Sequence, residues 1–186
     1  PIIVDNTIKA IQYMVDNNID FLSPQFFRVN QFFRGKANNV PLLPQEYARG
    51  SFYTSGIIFD IFFLKQFQDV IGKHTPRYQV YPEIIFAIIA TVFGKASWFN
   101  LPTTYFSCRM PTFSHDDTEE GNYGCLIERW RQFQRFMSLY SELLQMPIQD
   151  RFKENINMAM QSSASQVFFG LKNSAKAEFP SLKEYF

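Results

Sequence analysis

Residues 124–145 read GCLIERWRQFQRFMSLYSELLQ, and this stretch decides how the rest of the chain is interpreted. At about 100° per residue its apolar side chains fall on one stripe, which is typical of an amphipathic helix with one buried face. The stripe comprises Leu126, Trp130, Phe133, Met137, Tyr140 and Leu144, and it is widened on one side by Phe136, Leu139 and Leu143. The pattern predicts a central, mostly buried helix with a polar back.

The composition of the 186-residue chain is that of a globular protein with an unusual number of phenylalanines. Apolar residues make up 46% of the chain and charged residues 19%, which is enough apolar surface to offset the chain entropy of one domain. We therefore expect residues 1–186 to form a single helical domain. The alternative is that these residues are a fragment of a longer chain. The 22 phenylalanines indicate a thick core or large surfaces that partner chains cover.

Hydrophobic periodicity predicts a mainly α fold, a compact helical domain of about six helices with two long irregular loops. A first, short amphipathic helix over residues 5–17 has apolar side chains at helical spacing, namely Val4, Ile8, Ile11 and Val15. Ser23 and Pro24 are the residue types of an N-cap and a first helical position. Residues 25–34, QFFRVNQFFR, are therefore predicted to form a second helix that ends at Gly35.

Three further apolar segments favour helices. Residues 57–71 predict a core helix that ends at Gly72, with a strand as the alternative for residues 57–64. Pro82 and Glu83 open a further helix, EIIFAIIATVF over residues 83–93, which is apolar all round and is therefore predicted to be buried. After the central helix, residues 148–170 predict one or two more helices.

Two long segments, residues 36–56 and 95–123, contain several prolines and glycines and lack helical periodicity. We predict irregular loops for both. Loops of this length in a compact domain usually have a function, and contact with another subunit would be one. The second segment includes a strand-like patch at residues 103–108, which leaves room for a small β-hairpin near 103–113.

Net charge, the length of the apolar runs, the first residues and the cysteine content bear on the binding partners and the cellular location of the protein. A net charge of +1 provides no global field to attract nucleic acid or an anionic membrane. The longest apolar run falls short of the roughly 20 residues that a spanning helix needs, so no membrane partner is expected. The first residues do not resemble a signal peptide, and two cysteines do not make a disulfide framework. We predict an intracellular, cytoplasmic or virion location rather than secretion.

The most suggestive chemical cluster is the acidic segment 114–120, SHDDTEE. Its candidate ligands for a divalent ion are His115, Asp116, Asp117 and Glu119, but their spacing matches neither a calcium loop nor a zinc-binding helix. We favour a solvated loop whose carboxylates lie near the positive N-terminal end of the central helix. A metal-dependent enzyme stays open as a third hypothesis, yet we expect no enzyme, catalytic residue or cofactor, because only two histidines are available for acid-base chemistry.

Arginines beside aromatic residues are candidates for nucleic-acid binding, because guanidinium groups pair with phosphates and stack on bases. The candidates are Arg28 and Arg34 in the two FFR segments and Arg131 and Arg135 on the polar back of the central helix. Glutamates on the same helix face favour a solvated salt-bridge face for the last two. Arg129 lies within the apolar sector, where we predict a buried pair with a carboxylate such as Asp60.

By elimination, the sequence predicts a structural or assembly protein that works by packing against copies of itself as a homo-oligomer. A viral capsid or coat subunit fits this profile of high phenylalanine content, long loops and near-zero charge. The alternative is a nucleic-acid-binding module, such as an RNA-binding nucleoprotein, that uses the Arg/Phe segments.

Overall fold

A computed structural model describes residues 2–28, 31–34, 38–49, 56–75, 83–106 and 126–179 of the chain. In this part of the chain seven helices accompany a four-stranded sheet. The fold is therefore mixed α and β, and the prediction of a mainly α domain was wrong. The sheet is built from segments for which the sequence predicts a helix and loops.

The elements follow one another along the chain without a simple repeat. In order they are α1 (Val4–Asn17), β1 (Phe21–Arg28), β2 (Gln31–Arg34), α2 (Pro44–Arg49), β3 (Ile58–Phe59), α3 (Ile61–Lys65), α4 (Gln68–His74), α5 (Glu83–Phe93), β4 (Ala96–Phe106), α6 (Leu126–Gln145) and α7 (Asp150–Glu178).

Strand β1 is the centre of the sheet and replaces the helix predicted over residues 25–34. It runs parallel to β4, and it pairs antiparallel with β3 near its start and with β2 near its end. Pro24 lies where the register of β1 against β4 shifts, and a proline is tolerated at such an irregularity because it has no N–H for the ladder. The Ser23-Pro24 pair is thus part of a strand, and the phenylalanines after it suit a sheet better than a helix.

Both predicted loops also contain regular structure. In segment 36–56, residues Pro44–Arg49 form α2, and Pro41 forms a β-bridge with Ser97. Segment 95–123 begins with the eleven-residue strand β4, whose partner β1 lies far earlier in the chain. The second half of the predicted hairpin near 103–113 lies outside the described residues. A long-range parallel pairing leaves no local turn signal, which is why periodicity did not reveal it.

The predicted core helix over residues 57–71 is divided into three elements. Strand β3 ends at Phe59, and Asp60 then caps α3 by accepting hydrogen bonds from the backbone N–H groups of Phe62 (2.7 Å) and Phe63 (3.4 Å). A capping aspartate starts a new helix because its side chain satisfies the free N–H groups there. Helix α4 continues through Gly72 to His74, so Gly72 does not end it.

The strongest helical patterns were predicted correctly. Helix α1 ends where Asn18 adopts a left-handed backbone conformation (φ 50°). Helices α5 and α6 occupy the expected segments, and α5 is buried almost throughout. The stripe predicted for α6 is only partly buried, because Tyr140 is buried whereas Trp130 exposes 47% of its surface. The segment predicted as one or two helices over residues 148–170 forms one helix, α7, which begins at Asp150 and extends to Glu178.

Helices cover both faces of the sheet. Because successive side chains of a strand point to opposite faces, Phe21 packs with α5 while Leu22 packs with α1. A larger core then forms among α3 to α7, and its fully buried members include Ile85, Leu139 and Ile156. Helix α1 is thus the outer layer on one face of the sheet.

Candidate functional site

The apolar stripe of α1 faces solvent. Val4, Ile8, Ile11 and Val15 expose 64%, 61%, 49% and 66% of their surface, whereas Ala10 and Met14 on another side of the helix are buried. The helix therefore packs on the sheet through smaller or more flexible side chains. Its β-branched residues, which an amphipathic surface helix normally turns toward the core, remain outside. We call Val4, Ile8, Ile11 and Val15 the α1 seam.

Polar contacts at its two ends hold α1 in this orientation. The Ile3 backbone N–H donates to the Thr103 carbonyl at 2.8 Å, and the Asn6 side-chain amide donates to the Pro102 carbonyl at 2.8 Å. At the other end, the Lys95 ammonium donates to the Asn17 carbonyl at 2.7 Å. Both ends of the helix are thereby tied to β4 or to the residue just before it, so rotating the seam inward would break these bonds.

A groove of about 460 Å³ lies at the C-terminal end of the seam, between α1 and β3. Its apolar lining consists of Ile11, Met14, Val15, Ile19, Ile58 and Phe59, and its polar lining consists of Asn18, Asp20 and Asp60. Beyond Asp60, the large apolar side chains of Ile61 and Phe62 are also exposed. The seam therefore continues into a concave apolar surface with two carboxylates.

Backbone N–H groups hold both carboxylates of the groove in place. Asp20 Oδ2 accepts a hydrogen bond from the Lys95 N–H at 2.7 Å, and Asp60 Oδ1 is engaged by the first turn of α3. The second oxygen of each has no partner among the described residues. Gly94 is required beside Asp20, since an added Cβ would lie 2.8 Å from Asp20 Oδ2 and 2.9 Å from the Ala90 carbonyl oxygen. The groove thus presents negative charge at fixed positions.

A second polar arrangement joins α4 to α6. His74 is fully buried, and its Nε2 lies 3.0 Å from Glu142 Oε2, to which Lys73 Nζ also donates at 2.5 Å. The hydrogen bond from Lys73, with a further one from His74, lowers the pKa of the Glu142 carboxyl. His74 Nδ1 is buried without a partner among the described residues. In that part of the chain no three His, Cys, Asp or Glu side chains converge as metal ligands would.

The predicted metal and nucleic-acid residues are only partly placed. His115, Asp116, Asp117 and Glu119 lie outside the described residues, so the metal hypothesis stays a prediction. Arg28 is the last residue of β1 and Arg34 is the last residue of β2, where it pairs with Phe26 of β1. The side chains of Arg28 and Arg34 are not among those that the structure describes. The structure therefore brings the backbones of the two FFR segments together on adjacent strands.

The structure describes part of the predicted salt-bridge face of the central helix. Arg131 is exposed and Arg135 half-buried on α6. Glu142, one of the glutamates of this helix, pairs with Lys73 and His74. The predicted partner of Arg129, Asp60, caps α3, and the Arg129 side chain is not among those described.

Sequence reasoning recognised the apolar spacing of α1 but assigned no function to it. The available signal was the narrowness of the stripe: four residues at intervals of four, three and four occupy only the two seam positions of a heptad. His74 and Glu142 were not associated because they are distant in sequence and lie on different helices.

Comparison with protein-family models, with curated proteins and with solved structures finds no match to this chain. Among the described residues, no helix is both long enough and apolar enough to cross a membrane.

Proposed function

We propose that this protein is a structural or assembly protein that acts by self-association, and that the α1 seam is one of its contact surfaces. The observation that carries the proposal is the seam itself, four aliphatic side chains that a tightly held helix keeps in solvent. Covering such side chains is favourable, since full burial of a valine or isoleucine is worth about 1.5–3 kcal/mol. A capsid or coat subunit is one class of protein that would use such a surface.

The arrangement also fits what an assembly surface requires. The seam leads into the groove at Asp20 and Asp60, and Ile61 and Phe62, which follow Asp60 in the chain, are also exposed. Continuous apolar patches of this kind, rimmed by polar groups, mark protein–protein contact sites more often than isolated exposed side chains do. The near-neutral net charge adds no strong repulsion between copies.

The test is the mass of the purified chain in solution, measured by light scattering and sedimentation equilibrium over a range of micromolar concentrations. We expect the average mass to rise above that of the monomer with increasing concentration. Replacing Ile8 and Val15 together by serine should shift this rise to higher concentration. The matched control is Phe168→Ser on α7, because Phe168 is similarly exposed but lies on a different helix.

Each outcome decides the proposal. A wild-type chain that stays monomeric across the concentration range overturns self-association. If the variant with serine at both Ile8 and Val15 assembles as well as the wild type, the α1 seam is not one of the contact surfaces. Weaker assembly of the Phe168→Ser control alone would move the contact to α7.

A further inference from the structure

We propose that the α1 seam pairs with the α1 seam of a second copy in an antiparallel, two-fold arrangement. This inference rests on the proposed function and adds the partner and its orientation. In heptad notation, Val4 and Ile11 are d positions while Ile8 and Val15 are a positions. Seam positions of this kind fit into the spaces between the side chains of a facing helix.

The spacing of the seam is symmetric about its centre, which favours a copy of itself as the partner. Reversing the direction of α1 brings Val4 opposite Val15 of the partner subunit, and Ile8 opposite Ile11 of the partner subunit. The same contacts then occur twice, as a two-fold interface requires. On the exposed flank, Asp5 would lie near Gln12 of the partner subunit, so no like charges oppose each other there.

The two ends of α1 are electrostatically complementary in this orientation. The N-terminal end carries the positive pole of the helix, which Asp5 in the first turn partly offsets, and the N-cap residue Ile3 has no side chain that could satisfy the first N–H groups. The C-terminal end adjoins the groove, where Asp20 and Asp60 present carboxylates. Antiparallel pairing brings each positive end against the acidic groove of the other copy, whereas parallel pairing would place like ends together.

The groove also has a suitable apolar occupant in the second copy. Ile2 precedes the helix and exposes 68% of its surface. In the antiparallel register, Ile2 of the partner subunit lies level with Asn17, at the entrance to the groove of about 460 Å³. Its side chain would cover Ile58, a lining residue that is only half-buried in the single copy.

The length of the contact sets its strength. Fourteen helical residues extend about 21 Å, so α1 alone buries less than the roughly 800 Å² per partner of a standard stable interface. We therefore expect a dimer with a dissociation constant on the order of micromolar. The fold already holds α1 as a helix, so pairing incurs no cost of helix formation.

Disulfide cross-linking tests the orientation directly. In a background with Cys108 and Cys125 replaced by serine, a Val4→Cys chain and a Val15→Cys chain are oxidised separately and as a mixture. Antiparallel pairing predicts efficient cross-linking only in the mixture. Within one chain the two positions are about 16 Å apart along the helix, beyond the reach of a disulfide, so a double variant should form dimers and not internal bridges.

Three controls make the result decisive. The cysteine-free background must show the same concentration-dependent mass as the wild type. The Ile8→Ser and Ile11→Ser variants, each of which removes a central seam contact on both copies, should weaken the dimer about tenfold or more. Phe168→Ser should leave the dimerisation constant unchanged.

The outcomes distinguish this inference from the proposed function. Self-linking of Val4→Cys alone means parallel seams and overturns the antiparallel pairing. A dimer that none of the cysteines cross-links, and that Ile8→Ser leaves intact, also overturns the pairing while self-association stands. A monomer at all concentrations overturns both, and binding of the seam to lipid vesicles by such a monomer would identify a membrane surface as the occupant instead.

Discussion

Helices α1 and α6 both have an apolar stripe at helical spacing, yet only α6 uses its stripe to build the core. Among the described side chains of α6, Phe136, Leu139, Tyr140 and Leu143 are buried and pack with α5 and α7, while Trp130 near the start of the helix is half exposed. In α1 the stripe is in solvent, and the helix is held by Ala10, Met14 and polar bonds to β4. Periodicity therefore identifies an apolar face, while the surroundings decide whether the fold or a partner covers it.

The buried stripe of α6 should be the most sensitive to truncation. Leu139 is fully buried in the largest core cluster, so Leu139→Ala removes buried atoms and leaves a cavity. We expect it to lower the free energy of unfolding by about 2–5 kcal/mol, measured by urea denaturation with circular dichroism. Ser138→Ala, an exposed neighbour on the same helix, is the matched control. A loss below 1 kcal/mol would contradict the assignment of this face to the core.

The polar contact between α4 and α6 should have an intermediate, pH-dependent effect. Glu142→Gln weakens the bonds to Lys73 and to the buried His74, so we expect stability at neutral pH to fall by about 1 kcal/mol. The pKa of Glu142 is lowered in the folded state. The Glu142 carboxylate therefore contributes to the free energy of unfolding at pH values above its pKa in the unfolded chain, about 4.3. This contribution is lost as the pH falls through its pKa in the folded protein.

The measurement for Glu142 is the urea midpoint of the wild type and of Glu142→Gln at several pH values between neutral and acidic. The difference between the two proteins should close as the solution becomes acidic, because the protonated carboxyl then resembles the amide. Glu154→Gln, at an exposed position of α7, controls for the general effect of removing one negative charge. A difference that is constant with pH would mean that the ion pair does not contribute.

Sequence alone was sufficient where the local signal and the final environment agree. Helix α5 is apolar on every side, so its burial could be predicted without knowing its neighbours. Strand β1 shows the opposite case. Ser23 and Pro24 have the residue types of a helix start, and only the pairing with β4, which is remote in sequence, explains why they lie in a strand.

The α1 seam and the groove could be predicted only in part, because they depend on long-range contacts as well as on local spacing. The spacing of Val4, Ile8, Ile11 and Val15 could be recognised, but whether the seam faces the sheet depends on bonds such as that from Asn6 to Pro102. The groove requires Asp20 and Asp60 to meet, which the bond from the Asp60 N–H to the Asp20 carbonyl achieves at 2.8 Å. Such long-range contacts have no signature in a single sequence.

The smallest effect is expected for the stability of α1 itself. Isoleucine and serine have similar helix propensities, and Ile8 has few contacts to lose, since 61% of its surface is exposed. Ile8→Ser should therefore change the free energy of unfolding by no more than about 0.5 kcal/mol, provided that denaturation is followed at concentrations where the chain is monomeric. Ala10→Ser, on the buried side of the same helix, is the matched comparison and should cost more, because it places a hydroxyl against Leu22 and Phe99. If Ile8→Ser destabilised the monomer more than Ala10→Ser did, the apolar stripe of α1 would be part of the core, as the stripe of α6 is. The proposed difference between α1 and α6 would then be wrong.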